Sequence, residues 1–107
     1  PAWVTGDWRC IANDPVAGRY HFTLHLRRRF QLVTGTARIG RSQIPIANGR
    51  LFGNRLTFTL IDWHQGGATK WFSAHIEGHQ IRGTSHADAT GAGPMVEWGG
   101  ICAAGAN

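Results

Sequence analysis

The chain has 107 residues, 42% of them hydrophobic and 16% charged, and it carries eleven lysines and arginines against six acids for a net charge of +5. That length supports one domain with a modest core and leaves no room for a second catalytic domain. The basic balance is compatible with nucleic acid, anionic surfaces or acidic partners without choosing among them. No run of about 18 apolar residues exists, so a membrane-spanning helix is excluded.

From the N-terminus, "PAWVTGDW" has neither the basic nor the apolar region of a signal peptide, and a chain opening at Pro1 is expected to be a mature product or an excised piece. Residues 1–3 read as a linker, and Trp3 is placed to pack on whatever precedes it. Fifteen glycines and five tryptophans, with many Thr, Val, Ile and Phe, argue for an all-β chain. No window carries a glycine-free apolar pattern of helical period.

Turn-rich punctuation at 13–18, 39–43, 52–55, 64–69, 77–80 and 88–94 separates eight candidate strands, roughly 4–12, 18–30, 31–39, 43–52, 55–62, 69–77, 80–87 and 95–103. Gly53-Asn54 and Gly78-His79 fit two-residue hairpin loops. The long second run has to bend near Phe30-Gln31. Eight short strands in sequential hairpins most simply form an up-and-down, lipocalin-like barrel, closed or nearly closed, whose interior is either filled or holds one small ligand. A flattened sandwich is the alternative. The tail, 104–107, is expected to fray.

Alternation assigns the core faces: Tyr20, Phe22, Leu24 and Leu26 in the second strand, Leu56, Phe58 and Leu60 in the fifth, Phe72, Ala74 and Ile76 in the sixth. In "YHFTLHLRRRF" this puts His21, Thr23, His25, Arg27 and Arg29 on the wet face. Arg28 breaks the pattern, pointing inward unless a bulge or the barrel rim intervenes.

Cys10 and Cys102 fall near the ends of the first and last strands, which a closed meander lays side by side. Trp8 shares a face with Cys10, and Val96 and Trp98 share one with Cys102, so a Cys10–Cys102 disulfide across the seam is expected. It would close a loop of about 90 residues, contribute on the order of 4 kcal/mol and imply an oxidising compartment. Two unrelated buried thiols are the plainer alternative.

Catalytic signatures are missing. The six histidines (21, 25, 64, 75, 79 and 86) match no zinc spacing with cysteine, and His21 and His25 would stand roughly 13 Å apart along a strand. No carboxylate pair, nucleophile elbow, phosphate loop or dinucleotide fingerprint is present, so neither a metal nor a cofactor is implied. Arg27, Arg28, Arg29, Arg38, Arg41, Arg50, Arg55 and Arg82 could form a basic surface. Single-strand binders interleave such charges with exposed aromatics, whereas here the aromatics fall mainly on core faces. Trp8, Trp63, Trp71 and Trp98 either fill the interior or line a small-ligand cavity.

"TGDW" followed by a β meander distantly resembles lipocalins and avidin-like barrels. "PAWVTGDW", "RRRFQLVTGTARIG", "IANGRLFGNRLTFTL" and "FSAHIEGHQIRGT", in this order, are similar to the β-rich C-terminal extension of bacterial class I S-adenosylmethionine-dependent methyltransferases. The resemblance spans residues 1 to about 100. It implies a separate accessory barrel, exported to the periplasm or secreted, whose methyl-donor site lies on a missing domain, so no catalytic residue carries over.

The expected function is therefore a non-catalytic module that binds a small apolar ligand or docks a partner such as a methyltransferase domain. Trp8, Tyr20, Phe58, Trp71 and Trp98 would line the pocket, with Tyr20 or an indole N–H as the polar handle. The alternative is a barrel that binds single-stranded nucleic acid through Arg27, Arg28 and Arg29.

Overall fold

The computed structural model describes residues 3–15, 18–62, 68–87 and 95–102. It is all β: β1 (Gly6–Asp14), β2 (Gly18–Arg29), β3 (Leu32–Ile39), β4 (Ser42–Phe52), β5 (Arg55–Asp62), β6 (Ala68–Glu77), β7 (Gln80–His86) and β8 (Met95–Cys102). Every strand pairs antiparallel with its sequence neighbour, and β8 returns to pair with β1, so the meander closes as an eight-stranded up-and-down barrel. Closure removes both sheet edges. Trp63 and His64 lie outside the described residues, as do residues 1–2 and the tail from 103.

Period-two alternation drives the assembly. Phe22, Leu24 and Leu26, Leu56, Phe58 and Leu60, and Phe72, Ala74 and Ile76 are all buried in one core, with Tyr20 packed against it. Large side chains inside are matched to small neighbours: Trp98 has Ala12 of β1 on one side and Gly83 of β7 on the other. A Cβ added to Gly83 would stand 2.0 Å from the Ser73 carbonyl oxygen. Only glycine lets the backbones coil that closely.

Two register shifts bend the wall, one in the β3–β4 pair and one in the β4–β5 pair. The second contains Asn48 at φ 55, a residue type that tolerates the left-handed region. The Thr59 hydroxyl donates to the Ala47 carbonyl at 3.2 Å and accepts from the Asn48 amide at 3.4 Å, which ties the bulge to β5.

The two ends differ. At one, the turns after β2, β4 and β6 contain two residues each, Phe30-Gln31, Gly53-Asn54 and Gly78-His79. The segment before β1 plugs this end. Val4 is buried, its carbonyl accepts the Trp8 indole N–H at 2.8 Å, and Thr5 Oγ1 accepts the Arg28 amide at 3.0 Å. At the far end lie the β3–β4 turn and the last residues of β1, β5 and β7.

The expected disulfide is absent: both cysteines are free. β1 and β8 are neighbours and both side chains have inward phase, but Cys10 faces Gly100 while Cys102 faces Trp8. The thiols are thus diagonal across the pair, where Cα atoms stand about 7–8 Å apart, beyond the usual span of a bridge. The Cys10 thiol instead meets the Trp8 carbonyl at 3.8 Å. With no disulfide, the inference of a periplasmic or secreted location loses its basis.

Candidate functional site

Trp8, Phe58 and Trp98 point into the barrel interior, and Tyr20 packs against that core from its rim. Phe58 stacks on Phe72 with centroids 4.8 Å apart, Trp98 meets both rings edge-on at 6.2 and 5.7 Å, and Phe22 lies 5.7 Å from Trp98. Trp8, Phe58 and Trp98 are each at most 2% exposed. These rings pack on one another in the core rather than lining a cavity, as an eight-stranded barrel is narrow enough to be filled by side chains.

Trp71 is not among them. It pairs with Thr59 and His86, out of phase with the buried Phe72, and so belongs to the outer face. Tyr20 sits toward the far end, half-buried. Burial raises its pKa above the usual phenol value, and the Asp14 carboxylate raises it further. Burial also pushes the Cys10 thiol up to about 12, so Cys10 is unsuited to act as a nucleophile at neutral pH.

Of the histidines, His21 is exposed and His25 bonds Asp7 across β1–β2, with Nδ1 2.6 Å from Oδ1. Both partners of that pair are almost half exposed, which makes it a weak contributor to stability. Among the described residues no group of three His, Cys, Asp or Glu side chains converges as a metal site.

Two concavities open on the exterior. One, of 930 Å³, lies over β6–β8 and includes His75, Glu77, Arg82, Thr84 and Glu97. Its charges are of both signs, Arg82 against Glu77 and Glu97. The other, of 610 Å³, lies at the plugged end between the β2–β3 and β4–β5 hairpins and includes Arg28, Phe30, Leu32, Arg50 and Phe52. Among the described residues no carboxylate lines it.

The plugged end is unusual in what it exposes: Phe30 is 82% accessible, Phe52 57%, Leu32 48% and Trp3 57%. Register places cations among them. Arg29, Leu32 and Arg50 form one continuous cross-strand row, and Phe52 faces Arg55. Arg27 is on the outer face one row further from the tip. The β2–β3 register is unbroken through Arg28, so no bulge rotates it outward; it keeps inward phase and emerges at the rim. Among the described residues no ion pair joins these guanidiniums to a carboxylate; the His25–Asp7 contact lies between other side chains.

Backbone conformation singles out Phe30. The turns at Gly40, Gly53 and Gly78 each start with glycine at φ 58 to 61, and Phe30 holds the same position at φ 57. A bulky L-residue there is strained, and this one is mostly in water, so packing returns little. The two hairpin tips are joined by a backbone bond from the Leu51 amide to the Gln31 carbonyl at 2.9 Å.

The signal that would have found Leu32 and Phe52 is alternation, since both are opposite in phase to the buried Val33 and Leu51. Phe30 was hidden because its parity matches the core residues of β2, and only the turn exposes it.

Comparison with known protein families, curated proteins and solved structures finds no match to any of them. Neither the methyltransferase extensions nor the lipocalins gain support from that quarter.

Proposed function

We propose that the chain is a non-catalytic docking module that engages an anionic partner through the plugged end of the barrel. One observation carries this reading: Arg28 and Arg50 line a concavity with the exposed Phe30, Leu32 and Phe52 in which no carboxylate stands among the described residues, and Arg29 and Arg55 face Leu32 and Phe52 across the strands. Uncompensated guanidiniums attract anions, and adjacent apolar surface adds contact area once water is displaced. The packed interior argues against the alternative in which a small apolar ligand occupies a pocket of Trp8, Tyr20, Phe58 and Trp98. A role as accessory to a methyltransferase rests on the sequence resemblance alone.

The test is retention on immobilised heparin as a general polyanion. The wild-type chain should elute at distinctly higher salt than the triple variant Arg29→Gln, Arg50→Gln, Arg55→Gln, because each lost contact removes a salt-dependent attraction. A variant lacking Arg9, Arg19 and Arg38, elsewhere on the barrel, should elute close to wild type. Equal shifts in the two triples would point to net charge alone and remove the reading.

A further inference from the structure

We infer that the partner of this surface is an anionic lipid bilayer, met edge-on by the plugged end. Phe30, Phe52 and Leu32 would enter the boundary between headgroups and acyl chains, while Arg28, Arg29, Arg50 and Arg55 pair with lipid phosphates. The inference rests on the anionic docking read above and names its occupant.

Three features select a bilayer over other polyanions. The apolar group is mixed, two phenyl rings and an aliphatic side chain, and Leu32 stands between Arg29 and Arg50 in the same cross-strand row. Leucine offers no face for base stacking, whereas any apolar side chain gains from entering the acyl boundary. The residues also sit at or beside the tips of two neighbouring hairpins at one end of the barrel, where a flat surface can meet them together. Trp3, 57% exposed, belongs to the segment that crosses the same end, and tryptophan favours the membrane–water interface.

The conformation of Phe30 points the same way. Glycine serves this turn position at three other places, yet here a phenylalanine is held at φ 57 and 82% exposed. Strain kept in the free molecule without compensating packing marks a site where the side chain acts elsewhere. The Leu51–Gln31 backbone bond fixes the two tips relative to one another, so little ordering is required on contact.

The experiment is co-sedimentation of the whole chain with vesicles of equal parts phosphatidylglycerol and phosphatidylcholine, and with pure phosphatidylcholine, at about 0.1 M salt. Binding is expected only to the anionic vesicles. Phe30→Gly should weaken it by about tenfold or more, the equivalent of one withdrawn aromatic side chain, while leaving thermal stability equal or higher. Arg29→Gln should weaken it about fivefold.

Binding to anionic vesicles that ignores Phe30→Gly would overturn insertion and leave plain anionic docking. Retention on heparin, or binding to a single-stranded oligonucleotide, with no vesicle binding would overturn the bilayer and keep the anionic surface. Failure to bind any of these probes would overturn both.

Discussion

Gly100 lies directly opposite Cys10 across the seam that closes the barrel. A Cβ built on Gly100 would stand 1.9 Å from the Arg9 carbonyl oxygen and 2.8 Å from the Cys10 Cα, both backbone atoms that cannot swing aside. Gly100→Ala therefore has to separate β8 from β1 or unseat the strand. The expected cost is on the order of 3 kcal/mol, at the upper end of overpacking penalties. Chemical denaturation measures it; a loss below about 1 kcal/mol would mean that the seam is looser than the backbone approach implies.

The neighbouring thiol links stability to alkaline pH. Burial raises the Cys10 pKa from 9.0 to about 12, so above pH 9 the unfolded chain loses a proton that the folded chain keeps. Stability is therefore full below pH 9 and falls as the pH rises toward 12, by an amount on the order of 4 kcal/mol across the window. The raised Tyr20 pKa adds a loss of the same sign above pH 10. Cys10→Ala should flatten the slope between pH 9 and 10, where Tyr20 contributes little. An unchanged slope in denaturation midpoints would place its origin elsewhere.

The same pair of strands shows what alternation can and cannot specify. Parity placed Cys10 and Cys102 correctly on the inner faces of adjacent strands, because side-chain direction has a period of two. Register is set by the closure of the whole ring and by the glycines that let β8 approach β1, and it slides Cys102 two residues away from Cys10. Strand positions were readable because nearly every boundary carries its own turn chemistry. Trp71 was misplaced by being given an inward phase, although its neighbour Phe72 already fixed the core face of β6. The exposed tip was hardest to see, since a phenylalanine in a glycine-type turn contradicts both its hydropathy and its backbone preference.

That contradiction gives a second stability test. Phe30→Gly relieves the positive φ and surrenders almost no burial, so the folded state should gain about 1 kcal/mol. Gly78→Ala reverses the logic. The turn has open space around it but stands at φ 58, and alanine there should lose about 1 kcal/mol. Opposite signs in the two denaturation midpoints are the expected result. A loss for Phe30→Gly would show that the ring contributes to the fold, and would remove strain as a reason to assign it a binding role.

The two inward tryptophans make a matched pair for the last prediction. Trp8 and Trp98 are 0% and 2% exposed, so truncating either indole to phenyl removes similar buried area. Their N–H groups differ. Trp8 Nε1 donates to the Val4 carbonyl at 2.8 Å and so fastens the plug across the barrel end. Trp98 Nε1 is buried and has no partner among the described residues, a condition that itself costs about 1–3 kcal/mol. Trp98→Phe discards this orphaned donor, which offsets the loss of packing, and stability should stay within about 1 kcal/mol of wild type. Trp8→Phe loses packing and a hydrogen bond and leaves the Val4 carbonyl unpaired inside the plug, for a cost of about 2–3 kcal/mol. Urea unfolding at unchanged m-value separates the two. Hydrogen exchange adds a local readout, because only Trp8→Phe should raise exchange at the Arg28 amide, whose acceptor is Thr5 in the same plug. Equal losses from both variants would mean that indole size, and not the hydrogen bond to Val4, sets the contribution of each ring.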